Sequence, residues 1–222
     1  MSSLFDSLDF YCERLDASFW SEPMNAVTNL SFFVAAVMCY ISLRKNPLQR
    51  HQNYLYTLVF FIFLTAMGSF CFHTFAQKWS HWADILPIFI FMLLAMWFFL
   101  KNIFNTSTLM SLIATSVFLV VTIAGAFPPI SGYMNGSMMY IPSLSLLYLF
   151  SFWLMHRGQR HDSARVFAIA FVFSFSLIAR TLDQDLCELI PTGTHFIWHL
   201  LNGVVTYLVV QLFLKTEANK KS

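Results

Sequence analysis

Tyr54 to Phe75, YLYTLVFFIFLTAMGSFCFHTF, and Thr194 to Leu214, THFIWHLLNGVVTYLVVQLFL, are the two stretches on which the fold turns. Neither contains Asp, Glu, Lys or Arg, and each is long enough as a helix to cross about 30 Å of hydrocarbon. Each nevertheless carries polar residues four apart, Ser69 and His73 in the first and His195 and His199 in the second. Polar groups at membrane depth are costly and mark function, and side chains at i and i+4 stack on one helix face.

The rest of the chain agrees with a membrane setting. It is 58% hydrophobic and 11% charged, against about 25% charged for an ordinary soluble domain. Apolar runs recur approximately at Met24–Leu43, Tyr54–Phe75, Asp84–Leu100, Thr106–Phe127, Met138–Met155, Ala164–Arg180 and Thr194–Leu214, so the expected fold is an all-α bundle of seven transmembrane helices. No repeat or linker divides it, and residues 1–222 read as one domain, with 1–23 an outer segment and 215–222 a cytoplasmic tail. The first ten residues, MSSLFDSLDF, carry Asp6 and Asp9 and no basic stretch, and do not read as a cleaved signal peptide.

Loop charges set the expected orientation, because Lys and Arg collect on the cytoplasmic side. With the N-terminus outside and the C-terminus cytoplasmic, Arg44, Lys45, Arg50, Lys101, Arg157, Arg160, Arg165, Lys215, Lys220 and Lys221 are inside, and Arg14, Lys78 and Arg180 are outside. The longest connections are then Ala76–Ala83, Pro128–Ser137 and Thr181–Gly193. Short loops and the lack of sorting signals point to a bacterial inner membrane, with an endoplasmic reticulum or Golgi membrane as the alternative. The net charge of +2, spread over loops and tail, leaves no basic stripe for nucleic acid, and no protein partner is implied.

In this topology His73 ends the second span on the outer side, Asp84 opens the third, and His195 and His199 lie in the first turns of the seventh, all at one depth. Ser69 is one turn below His73, about 6 Å deeper. Three neutral imidazoles with a fourth position left open are the ligand set of a catalytic zinc site, where zinc brings the pKa of a bound water to about 7. Asp84 is the candidate general base and Ser69 the candidate hydrogen-bond donor to a developing oxyanion. Histidine also persists in membrane helices for helix-to-helix hydrogen bonds, and serine back-bonds to its own helix. His51, His81, His156 and His161 fall in expected loops and read as solvated, His81 nearest the outer mouth. Trp20, Trp79 and Trp82 read as an interfacial belt. Pro87 is expected to open the third helix below Asp84, or to sit harmlessly in its first turn.

Cys39 and Cys71 lie within spans, whereas Cys12 and Cys187 both lie in outer segments, on the oxidising side. A Cys12–Cys187 disulfide would tie the N-terminal segment to the loop entering the last span; two free thiols in separate loops are the alternative.

Several ordered motifs resemble the alkaline ceramidase family, part of a superfamily of seven-span zinc-dependent membrane hydrolases that includes progestin and adiponectin receptors. They are Tyr11-Cys-Glu13, Glu22-Pro-Met-Asn25 followed by Thr28-Asn29, Gly68-Ser69 with His73, Asp84 with Leu86-Pro87-Ile88, Arg180-Thr-Leu-Asp183, and Gly193-Thr-His195-Phe-Ile-Trp-His199-Leu-Leu-Asn202. The resemblance implies a hydrolase of linear amide bonds that cleaves the N-acyl bond of ceramide, a membrane lipid, to a sphingoid base and a fatty acid. It puts zinc on His73, His195 and His199, with Ser69 and Asp84 beside it, and Cys12 and Cys187 in the family's outer disulfide. It also implies calcium on Glu13 and Glu22, but Phe10 and Leu15 stand where calcium-binding members have an Asp and an Asn; Asp9 and Asp16, each one residue away, are substitutes after a small shift, and helix capping or pairing with Arg14 is the other role for Glu13 and Glu22. A lipid receptor of the same superfamily with little turnover is the competing function. A bis-histidine haem site is disfavoured, since His195 and His199 share a helix face and cannot both be axial.

Overall fold

The computed structural model describes residues 3–47 and 51–219; Arg50, Lys220 and Lys221 of the charge pattern lie outside them. Among the described residues, seven helices are long and apolar enough to cross a membrane. The first span bends at Asn29, dividing into α1 (Pro23–Thr28) and α2 (Leu30–Lys45). It is followed by α3 (Gln52–Phe75), α4 (Lys78–Phe98, continued as a wider π turn through Ile103), α5 (Thr108–Ala126), α6 (Ile141–His156), α7 (Arg160–Leu182) and α8 (His195–Asn219). The third helix, α4, packs closely on α3, and α8 lies against both α2 and α7. The core includes Leu43, Leu55, Phe98, Leu154, Val166 and Phe213, with the Phe98 and Phe213 rings stacked at 4.1 Å. Along α5, Leu109, Ile113, Val117 and Val120 stay exposed, as lipid-facing side chains do.

Several boundaries differ from the sequence reading. Ala76–Ala83 is not a long connection: the turn is Ala76 and Gln77, and α4 begins at Lys78. The polar and aromatic run Gln77-Lys-Trp-Ser-His81 lowers hydropathy enough to read as a loop. A capping box between Gln77 and Ser80 starts the helix there all the same, with the Gln77 N–H donating to Ser80 Oγ at 3.0 Å. Asp84 is therefore in the second turn of α4, and Pro87 lies inside the helix. His81 is not a solvated loop residue. It sits in the first turn of α4 with its ring 5.0 Å from that of Phe72 and 5.5 Å from that of Phe10. His156 and His161 are likewise helical, at the end of α6 and the start of α7. The start of α6 moves to Ile141, because Pro142 in its first turn suits a helix start.

The N-terminal segment covers one end of the bundle, the end where α3 and α7 finish and α4 and α8 begin. It is fastened by backbone hydrogen bonds to the α3–α4 turn, Leu8 N to Ala76 O (2.7 Å), Lys78 N to Asp6 O (3.1 Å) and Trp79 N to Leu4 O (2.9 Å). The Lys78 ammonium adds a bond to Asp6 at 2.6 Å and holds that carboxyl below its ordinary range. On the far side the Cys12–Cys187 disulfide joins the segment to the α7–α8 connection, and Gln184 Nε2 donates to Phe10 O at 2.6 Å.

The disulfide closes a loop of 175 residues, and removing both thiols (Cys12→Ser, Cys187→Ser) should lower unfolding free energy by about 2–5 kcal/mol, the upper end being what the chain-entropy account gives for so long a loop. Thermal denaturation in detergent checks the loss. Peptide mapping without reductant should recover the two cysteines in one joined fragment.

Candidate metal centre

His73, His195 and His199 are all buried and meet beneath the N-terminal segment. One nitrogen from each lies within 4.8 Å of the others, close enough to share a metal ion. Ring centroids are 5.2 Å apart for His73 and His195, 4.7 Å for His73 and His199, and 4.6 Å for His195 and His199.

The partners of these rings decide which nitrogens are free. His73 Nδ1 is 2.6 Å from Glu22 Oε2. A carboxylate only accepts, so Nδ1 carries the proton and Nε2, buried and without a protein partner, presents its lone pair. His199 Nδ1 is 3.0 Å from Thr28 Oγ1, whose single proton goes to Met24 O at 2.7 Å. The Thr28 oxygen must accept from Nδ1–H, and His199 again keeps Nε2 free. His195 is held differently: Tyr11 stacks on its ring at 3.7 Å and 20°, and its Nδ1 is buried with no protein partner. Buried His73 Nε2 and His195 Nδ1 atoms without protein partners, with Nδ1 of His73 and of His199 already held by Glu22 and Thr28, fit a zinc ion.

Asp183 aims His195. The connection from α7 turns through Gly193 at a φ of +63°, where a Cβ would strike the Asp183 carboxylate. Asp183 Oδ1 accepts the N–H groups of Thr194 (2.7 Å) and His195 (2.8 Å), which a helix start leaves unpaired, while Oδ2 accepts the Cys12 N–H at 3.1 Å. A single carboxylate thus fixes the first turn of α8 and the disulfide-bearing segment.

Ser69 and Asp84 come together where α3 and α4 approach closely. A Cβ on Gly68 would collide with the Ala83 carbonyl oxygen. That carbonyl lacks its helical donor because residue 87 is proline. The contact puts the Ser69 hydroxyl beside the Asp84 carboxyl, which also faces His73. Asp84 Oδ1 is buried and has no protein partner. Immediately beneath this layer opens an apolar cavity. Its upper lining includes Thr65, Ile88, Trp198 and Asn202, each within about one turn of Ser69, Asp84 or His199.

The acids expected to hold calcium are engaged elsewhere. Glu13 accepts the Met24 and Asn25 N–H groups at 2.6 and 2.8 Å, capping α1; burial nonetheless pushes its carboxyl up. Glu22 bonds Arg14 Nε at 2.5 Å besides His73 and Asn25. Burial works to raise Glu22, but its bonds to His73 and Arg14 prevail and hold it below the usual range. Phe10 and Leu15 bring no ligand oxygen on their side chains.

The family model described as Ceramidase matches residues 9–222. The chain belongs to the ceramidase family. No curated protein gives a significant match. Within this ceramidase-family chain, sequence reasoning pointed to the three histidines, which the structure brings together, to Ser69 and Asp84, which it sets side by side, and to the cysteine pair, which it joins. It gave no role to Asp183, Thr28 or Tyr11, although all three stand in the motifs quoted above.

Asp183→Ala should unpair three buried N–H groups. Loss of a cap costs about 0.5–2 kcal/mol, and the first turn of α8 should fray. A fall in melting temperature, with weaker zinc retention against a competing chelator, is the expected result.

Proposed function

We propose that this protein is a zinc-dependent amidohydrolase that cleaves the N-acyl bond of ceramide or a related N-acyl lipid, giving a sphingoid base and a fatty acid. Membership of the ceramidase family supports hydrolysis of ceramide. The observation that carries the finer reading is the convergence of three buried imidazoles within reach of one ion, with Ser69 and Asp84, at the head of an apolar cavity.

Zinc on His73, His195 and His199 would supply a Lewis acid and an activated water. The chain's own groups account for the remaining steps. The cavity takes a hydrocarbon chain and so holds the scissile amide at the polar layer. Asp84, with Oδ1 unpartnered, takes the proton from the attacking water and returns it to the leaving nitrogen, which departs as an amine. Ser69 donates a hydrogen bond to the amide oxygen as it gains negative charge. Tyr11, Glu22 and Thr28 hold the imidazoles, so little reorganises during the reaction. The loop charges support placing this end of the bundle on the outer side of the membrane.

Purified protein prepared without chelator should hold about one zinc per chain. His199→Ala should remain folded in the membrane yet lose both the metal and fatty acid release, since two ligands are too few for a tight catalytic site. Metal analysis that finds no transition metal in the wild type would defeat the reading.

Asp84→Asn keeps the shape of the side chain but cannot accept the proton. It should retain zinc and lose about 10² to 10⁴ in rate, measured as fatty acid released from a panel of N-acyl lipids. Full wild-type turnover in that variant would remove Asp84 from the mechanism. Lipid binding without turnover in the wild type would turn the reading toward a receptor.

A further inference from the structure

Arg14 is a charged side chain only 8% exposed, and each donor group of its guanidinium has an assigned acceptor. Nε donates to Glu22 Oε1 at 2.5 Å, Nη1 to Asp16 O at 3.1 Å, and Nη2 to His73 O at 3.1 Å. The last two contacts differ in kind. The Asp16 carbonyl belongs to the N-terminal segment itself, whereas the His73 carbonyl lies in the final turn of α3, among the carbonyls that a helix end leaves without donors. Arg14 therefore holds one residue of the metal centre twice. It holds the His73 backbone directly, and it holds the His73 ring through Glu22, whose other oxygen is 2.6 Å from Nδ1.

The two holds act on one coordinate. A ring turns about bonds that begin at its own backbone, so fixing both the carbonyl and Nδ1 leaves His73 Nε2 with a single direction. A fork of rigid, coplanar donors can do this; a single ammonium cannot reach three acceptors in such different directions. The charge also matters, because Glu22 is 3% exposed and a buried carboxylate needs a cation against it.

We propose that Arg14 is a positioning residue of the metal centre: its guanidinium holds the Glu22 carboxylate and the His73 carbonyl and so clamps His73, so that the outer segment sets metal affinity without a second, divalent cation. The proposal rests on the zinc-site reading above.

The experiment measures zinc affinity by chelator competition, and melting temperature, for the wild type, Arg14→Lys, Arg14→Met, Glu22→Gln and the Arg14→Met/Glu22→Gln double variant. Loss of a group that orients a ligand typically weakens metal binding about 10- to 100-fold. Arg14→Met should fall in that range, Arg14→Lys should fall less, and the double variant should bind no more weakly than Glu22→Gln alone, because both changes release the same ring. With cobalt in place of zinc, Arg14→Met and Glu22→Gln should shift the visible absorption bands in the same direction. A purely structural arginine would lower the melting temperature and leave zinc affinity and the cobalt bands unchanged at temperatures where the variants are folded; that result, or fully additive losses in the double variant, overturns the proposal. Removing one partner of a buried pair endangers folding, so a measurement on the wild type stands beside the variants: in zinc-buffered solution, affinity should be the same in calcium-free and millimolar-calcium buffer, and a rise with calcium overturns the proposal. A wild type that holds no zinc at all would instead defeat the hydrolase reading on which this one is built.

Discussion

Three imidazoles buried side by side in an apolar bundle keep fixed directions only if something outside the bundle holds their second faces. That constraint shapes the whole end of the molecule. The helices bring His73, His195 and His199 together but supply few of the groups that orient them. Glu22, Thr28 and Tyr11 come from the N-terminal segment and the short helix that follows it. A residue chain with no regular structure of its own thereby becomes part of the site. Its fastening at the α3–α4 turn and at Cys187 prevents those three side chains from leaving together.

The same logic explains why so many partners converge on few atoms. Nothing in a membrane interior solvates a bare N–H or carbonyl, so every helix end near the site needs an internal partner. Asp183 serves the start of α8, Glu13 the start of α1, and Arg14 the end of α3. Two of these capping groups also touch something else: Asp183 the Cys12 backbone, and Arg14 the Glu22 carboxylate. Helix termination and site assembly are thus one set of hydrogen bonds, and a change in either should be felt in the other.

The spans were legible because long runs without charge allow little else, and His195 and His199 because residues four apart share a helix face. Topology put Cys12 and Cys187 on one side and left free thiols as the alternative; the family resemblance implied the pairing that the structure shows. What stayed hidden was set by contacts remote in sequence. Glu22 meets His73 across 51 residues, and Asp183 reaches the α8 start from 12 residues before His195, beyond the range of local capping patterns. Glu13 and Glu22 were visible as acids of note, yet sequence offered calcium binding beside capping and pairing; the carboxylate oxygens cap α1 and bond Arg14 and His73. The start of α4 was missed for a local reason, since Gln77 and Ser80 make a capping box inside a run whose composition resembles a turn.

Depth links the polar layer to the cavity below it. Along α8 the cavity lining runs from Trp198 to Val209, about 16 Å at 1.5 Å per residue, roughly half of a hydrocarbon core about 30 Å thick. A lipid whose chain fills that space from the metal layer downward would have its amide near the surface of the bilayer and its tail near the midplane, which is where an acyl chain of the membrane itself already ends. The reaction proposed therefore asks for little vertical displacement of the substrate. Specificity for the bond then comes from the layer where Ser69, Asp84 and the histidines meet, and the close α3–α4 contact at Gly68 keeps Ser69 and Asp84 together there.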